Sequence, residues 1–312
     1  MLNMFRMGPS PHIRTSETVD KVMYDVIISL IPALLMAVYI FGTRAITMTA
    51  FSVAACMATE YVCQKIMKQD INILDGSAII TGILLAFVVP PYMSLIYVVI
   101  GGIISILLGK MLFGGLGHNI FNPALVGRAF IQASWPVAIT TFAYDGKAGA
   151  TVLDAMKRDI PLDQALIANG AVDAYLQAFI GNMGGCLGET SALAILLGGA
   201  YLIYKKHIDW KVPAIMITTV FVLTMAMGQN PIMHILSGGL FLGAFYMATD
   251  MTTSPQTSTG RVIFAILLGV LISVIRVKGG YPEGTAYAIL IMNGAVPLIN
   301  KYIVPKKFGA VK

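Results

Sequence analysis

The sequence predicts an all-α polytopic membrane protein of about ten transmembrane helices, folded as two inverted five-helix repeats with broken helices. Composition is the first observation: of 312 residues, 57% are hydrophobic and 12% charged, about half the charged share of a soluble domain, with a mean hydropathy of +0.80. The second is a series of apolar runs near the roughly 20 residues that a helix needs to cross a bilayer core. The third is an ordered recurrence of small residues and breaks between the two halves. A soluble globular domain is excluded, and the chain reads as one membrane domain.

Apolar runs between charged or glycine and proline punctuation place spans near 22–41, 45–64, 74–89, 92–113, 116–135, 183–204, 212–228, 232–249, 262–277 and 285–303. Lys21, Arg44 and Lys65 bound the first two. The third is interrupted by Asp75-Gly76-Ser77, leaving twelve residues from Ala78 to Val89. At about 1.5 Å per residue they cover ~18 Å of a ~30 Å core, which predicts a broken helix. Pro90-Pro91 precedes the fourth and Gly114-Gly115 the fifth, while the sixth and seventh flank a basic loop, Lys205 to Lys211. The eighth ends at Asp250, the ninth begins after Arg261, and the tenth follows Glu283-Gly284. Gly101 and Ser105 recur as Gly269 and Ser273, each set preceded by a proline break and followed by Gly-Gly. Spans 3–5 then correspond to spans 8–10, and an odd offset makes the second half an inverted copy. The resulting domains are an N-terminal segment 1–21, repeat 1 over 22–135, a loop 136–182, repeat 2 over 183–303 and a tail 304–312.

Ten spans put both termini on one side. With the termini cytoplasmic, 14 Lys and Arg residues fall inside and 6 outside, which the positive-inside rule favours. The 136–182 loop, with five acids and three bases, is then extracytoplasmic, and loops of that length are usually functional. The net charge of +6 reflects cytoplasmic loop charge; no basic cluster interleaved with aromatics points to nucleic acid. Cys56, Cys63 and Cys186 form no C-x-x-C and read as packing residues. No segment resembles a cleaved signal peptide.

Acids in or at the ends of apolar spans are the natural candidates for an ion path, because ionised groups there are costly unless they face protein or water. Asp75, at the break in span 3, and Asp250, at the end of its counterpart, stand out, with Glu189 as a third. Helix capping, or pairing with Arg128 or Arg261, is the alternative role for each. Asp25 and Glu60 lie near cytoplasmic ends and suit snorkelling. Asn119, Asn122 and Pro123 resemble the polar break of a half-helix, echoed by Asn293 and Pro297, where freed backbone groups can meet a ligand or the asparagines can bond neighbouring helices. His118 and His234 read as core residues, and Gly239-x-x-x-Gly243 as a close-packing site.

The external loop contains Asp145-Gly146-Lys147-Ala148-Gly149-Ala150-Thr151. Gly146, Gly149 and Ala150 leave the backbone sterically bare, so that a modifying enzyme can close on it and reach the Thr151 hydroxyl. An Asp-Gly turn beside an ordinary threonine is the simpler reading.

D-G-x-x-G-A-T resembles the flavin-attachment motif of the NqrB and RnfD family of membrane subunits. Similar matches run along the chain: Ser10-Pro11-His12, Ser77-Ala78, Thr81-Gly82, Phe113-Gly114-Gly115-Leu116-Gly117, Phe121-Asn122-Pro123-Ala124, Thr249-Asp250, Gly260-Arg261, Gly279 to Gly284 and Val296-Pro297-Leu298-Ile299. Ala148 departs from the pattern, where Ser or Thr is common. The resemblance implies FMN joined through its phosphate to Thr151, with Asp145, Gly146, Gly149 and Ala150 as the recognition motif for a flavin transferase. It also implies a second, noncovalent riboflavin or other flavin near Asn119 and Asn122. Membership would place the chain in the bacterial cytoplasmic membrane with Rnf subunits A, B, C, E and G, above all G and C. There it would relay electrons between ferredoxin-side and NAD-side subunits coupled to Na⁺ or H⁺ translocation. A secondary transporter or channel without redox role also suits the repeat and the buried acids, but not the motif.

Overall fold

A computed structural model describes residues 18–144, 147–149, 151–158, 171–181, 183–280 and 283–304. The first helix, α1 (Val19–Phe41), starts where the Thr18 hydroxyl accepts from the Lys21 amide and ends at Gly42, whose φ of +65° lets the chain turn straight into α2 (Thr43–Ile66). A residue with a Cβ is strained there, so glycine makes this one-residue link possible. Then come α3 (Ser77–Phe87), α4 (Leu95–Gly109), α5 (Pro123–Ser134) and α6 (Pro136–Thr140).

A small antiparallel hairpin follows, β1 (Phe142–Tyr144) with β2 (Lys147–Gly149), in the register Phe142 to Gly149 and Tyr144 to Lys147. It is a local exception to the all-helical expectation. After it lie α7 (Val152–Lys157), α8 (Ala171–Ile180), α9 (Ala192–Tyr204), α10 (Lys211–Ala226), α11 (Pro231–Leu236) and the three-residue α12 (Leu240–Leu242). A π-helical turn, Gly243–Met247, then leads on to α13 (Ser258–Lys278) and α14 (Thr285–Tyr302).

Among the described residues four helical stretches are long and apolar enough to cross a membrane: α1, α2, Leu95–Phe113 and α13. Exposed Leu35, Ile66, Ile96 and Leu298 give the outer faces of the helices the apolar character that lipid requires. Span 3 is a half-helix as expected, because Asp75 closes a turn before it and Val88 stops it. Three other spans differ from expectation. Residues 116–122 of span 5 are not helical, since Asn122-Pro123 caps a helix start there; residues 183–191 of span 6 form turns, with the helix beginning after Ser191; and span 8 breaks into α11, α12 and the π turn. Apolar length alone does not reveal these breaks, because buried turns carry the same small and apolar residues as buried helix.

In lipid the helices gain little from hydrophobic burial against each other, so close packing of small residues does the joining. A Cβ at Gly82 would lie 2.6 Å from Val53 Cα on α2, one at Gly127 would lie 1.9 Å from Ser105 Oγ on α4, and one at Gly198 would lie 2.0 Å from the Ser29 carbonyl on α1. Gly239 and Gly243 behave as their spacing suggests, against Glu189 Oε1 and Thr285 Cγ2, each 2.5 Å from the Cβ position.

Long-range hydrogen bonds gather the connections into two groups. Asp25 meets His207, Tyr24 donates to the Leu74 carbonyl, Arg261 pairs with Asp209, and the Gln256 amide donates to Asn300. In the other group Arg44 donates to the Pro91 and Met93 carbonyls, and the Leu187 and Gly188 amides donate to the Val89 and Phe87 carbonyls.

Candidate functional site

Thr151 is the N-cap of α7: its Oγ1 accepts from the Asp154 amide at 3.2 Å, and the residue is 6% exposed. Gly149 lies in β2, while Asp145, Gly146 and Ala150 lie outside the described residues. Thr151 forms the wall of a small cavity with Gly184, Gly185, Glu189, Ser237, Gly238 and Glu283.

Beneath that wall is a buried charge network. Arg128 of α5 pairs with Glu283 and stands 3.8 Å from Glu189. Burial pushes the Glu283 carboxyl up, and neighbouring Arg128, helped by Arg276, outweighs that and holds it below the ordinary carboxylate range. Arg276 of α13 donates to the His234 and Ser237 carbonyls and to Thr285 Oγ1. Several buried atoms have no protein partner among the described residues: Glu189 Oε2, Ser237 Oγ, and the Nε atoms of Arg128 and Arg276. Orphaned polar atoms are costly, so their concentration beneath Thr151 marks a place built to receive something polar. Gly184, Gly185 and Gly238 leave backbone uncovered on the same wall; a Cβ at Gly238 would stand 2.7 Å from Leu153 and 3.2 Å from the Arg276 guanidinium. A phosphate ester on Thr151 fits this chemistry, while the cavity is too small for a whole flavin, so the ring system would lie beyond it.

Asn119, Asn122 and Asp250 converge on a second cavity, of about 110 Å³. Its wall includes Lys110, Asn119, Asn122, Tyr246 and Asp250 among apolar side chains. Asn122 caps α5 through its Oδ1, and its own amide donates to Asn293 Oδ1 at 3.3 Å; Asn293 Nδ2 donates to the Thr253 carbonyl at 2.9 Å. One fully buried side chain of α14 thus pins two interrupted segments together. Asp250 is held locally, accepting from the Thr252 amide and the Thr253 hydroxyl, and Arg261 pairs instead with Asp209.

Asp75 Oδ1 accepts from the Ser77 amide and hydroxyl, and Lys110 Nζ bridges Ser77 Oγ at 2.5 Å and Glu60 Oε1 at 2.6 Å. Glu60 and Asp25 therefore do not snorkel: both are buried, Glu60 on Lys110 and Asp25 on His207 and Tyr201. His118 is exposed, contrary to its reading as core, whereas His234 is buried. All three cysteines are free and buried, as packing residues.

The model of the NQR2, RnfD, RnfE family matches residues 6–309. The chain belongs to that family. It is 44% identical to the D subunit of the proton-translocating ferredoxin:NAD(+) oxidoreductase complex of Clostridium ljungdahlii, over 98% of this chain and 97% of the relative. It is also 44% identical to the D subunit of the Na(+)-translocating ferredoxin:NAD(+) oxidoreductase complex of Acetobacterium woodii, over 98% and 96%. The D subunit of the ion-translocating oxidoreductase complex of Stutzerimonas stutzeri is 37% identical over 94% and 93%.

In this NQR2, RnfD, RnfE family chain, Thr151 and Glu189 share one cavity and Asn119, Asn122 and Asp250 another, with Asp75 joined to the second through Ser77 and Lys110. Lys110 and Arg276 were not among the sequence candidates, although a charge inside an apolar span is itself a signal of a buried partner. Glu283 carried no such signal, because it sits in a glycine-rich connection that reads as exposed.

Proposed function

We propose that the chain is the flavin-carrying membrane subunit of an ion-translocating electron-transport complex of the Rnf type. The observation that carries this is the end-to-end 44% identity to the D subunits of two such complexes in a chain that retains D-G-x-x-G-A-T with its threonine over a polar cavity. FMN would be esterified to Thr151 by a flavin transferase, and a noncovalent flavin would occupy the interior cavity lined by Asn119 and Asn122. A flavin supplies reversible uptake and release of electrons. The chain supplies the tether: α7 holds Thr151 in place, so the attached group keeps a fixed local concentration at the outer surface. Asn122 and Asn293 hold the interior cavity open by fixing the ends of the half-helices around it. Rnf subunits A, B, C, E and G would deliver and remove electrons between the ferredoxin and NAD sides. The test is the intact mass of the chain from cells that co-express the transferase: it should exceed the sequence mass by one FMN less one water. An unmodified mass would leave the transporter reading.

The inverted repeat belongs to the same proposal, with repeats 22–135 and 183–303 flanking the 136–182 loop. Packing supports it at the level of whole helices, since α4 packs on α2 and its counterpart α13 packs on α10. In the cytoplasmic membrane the face with Asp25, His207 and Asn300 would be cytoplasmic and Thr151 external. Single cysteines at the exposed positions Arg158 and Lys206 should then be labelled by an impermeant maleimide from outside and inside respectively. The reverse pattern would overturn the orientation.

Asp75, Asp250 and Glu189 are proposed as points on the ion path. Asp250 lines the interior cavity, so Asp250→Asn should lower ion-coupled electron transfer in vesicles about tenfold while the flavin stays attached. Wild-type rates and ion dependence in this variant would make Asp250 a turn cap and nothing more.

A further inference from the structure

We infer that Glu189, Glu283 and Ser237 form a binding site for one monovalent metal cation directly beneath Thr151. The inference rests on the flavin reading and deepens it, by giving the attachment site a counter-ion. A carboxylate oxygen from each glutamate and the Cys186 Sγ lie within 4.8 Å of one another, so the two carboxylates can close on a single ion. Both glutamates and Ser237 line the same small cavity, whose free space is that of about one water-sized sphere and so excludes a ring system. Independently of the carboxylates, Ser237 Oγ is buried at 1% exposure and has no hydrogen-bond partner among the described residues, as has Glu189 Oε2 at a residue exposure of 3%. An acceptor left bare on a buried carboxylate and a hydroxyl left bare beside it are the oxygen donors a hard cation takes. Ser237 is followed by Gly238 and Gly239, and a Cβ at Gly239 would stand 2.5 Å from Glu189 Oε1. Only glycine lets this backbone lie so close to the carboxylate.

Charge selects the valence. Counted as formal charges, Arg128 and Arg276 offset Glu189 and Glu283, so the wall without an ester carries no surplus negative charge. A phosphodiester on Thr151 adds one negative charge in a place shielded from water, and one monovalent cation restores neutrality; a divalent ion would leave an excess positive charge beside two guanidinium groups. Oxygen donors also favour a hard ion over one that seeks the Cys186 sulfur.

The test is equilibrium binding of ²²Na⁺ to the purified assembled complex, with the intact mass of this chain measured in the same sample. The flavin-loaded wild type should bind one Na⁺ more per chain than Glu283→Gln. Ser237→Ala, which unpairs no charge and so keeps the fold, should weaken that site about fivefold to tenfold, the worth of one polar contact. Thr151→Ala should weaken it at least as much, because the anion that attracts the cation is gone. Flavin-loaded wild type that binds no more Na⁺ than Glu283→Gln, or Na⁺ affinity unchanged in both Ser237→Ala and Thr151→Ala, overturns the cation site and leaves the flavin reading standing. A wild-type chain without flavin mass strikes the flavin reading instead. Should Glu283→Gln fail to assemble, Ser237→Ala and Thr151→Ala together decide.

Discussion

Replacing Thr151 by alanine is expected to abolish covalent flavin completely, measured as intact mass and as in-gel flavin fluorescence after denaturation, while the chain still inserts. Two effects of the change must be separated. On the proposed reading Thr151 is the acceptor hydroxyl, and it also caps α7 through the Asp154 amide; loss of a cap costs about 1 kcal/mol. Thr151→Asn keeps a strong cap without an esterifiable hydroxyl, so it should be as empty of flavin as the alanine variant while α7 stays in place. Flavin retained on either variant would move the attachment elsewhere. Since Thr151 is 6% exposed, a flavin transferase of the proposed kind would have to act before residues 151–158 pack down or displace them. A mutation that locks this segment closed should therefore lower flavin occupancy without touching the motif.

The second large effect is expected at Arg128. Its guanidinium faces two carboxylates, the buried Glu189 and the partly buried Glu283. Arg128→Met removes the cation and leaves both without their partner, a change that costs about 3–5 kcal/mol in buried pairs. Thermal unfolding of the solubilised subunit should shift down sharply, with loss of the chain from the assembled complex. Neutralising both glutamates in the same chain, Arg128→Met with Glu189→Gln and Glu283→Gln, should recover much of the loss, because the penalty comes from unpaired charge and not from the missing contact area. If Arg128→Met alone is as stable as the parent, water reaches this network and it is not a dry core.

Much of this was legible in the order of residues, and the reasons are local. Composition and apolar runs announce a membrane protein because lipid tolerates no other surface. Asp75-Gly76-Ser77 announces a half-helix because a charge and a turn cannot continue an apolar span, and α3 begins at Ser77. Asn122-Pro123 announces a helix start, since proline suits a first turn and asparagine suits a cap, and α5 begins there. The same local logic failed at 183–191 and 232–249, where turns packed inside protein are as apolar as helix.

Partnership is different in kind. Arg128 on α5, Glu189 before α9, Arg276 on α13 and Glu283 before α14 are far apart in sequence, and no spacing rule joins them. Asn293 meets Asn122 across 171 positions and Thr253 across 40. Single charges in apolar spans show that partners must exist, because an ion alone in lipid is too costly, but they do not say which. The choice of partner is made when the helices pack, and packing depends on glycine contacts such as Gly127 on Ser105 and Gly198 on Ser29, which follow from three-dimensional fit. That the chain is a membrane protein could therefore be read from its composition, whereas the placing of a charge network and two orphaned oxygen donors beside Thr151 was decided by tertiary structure alone.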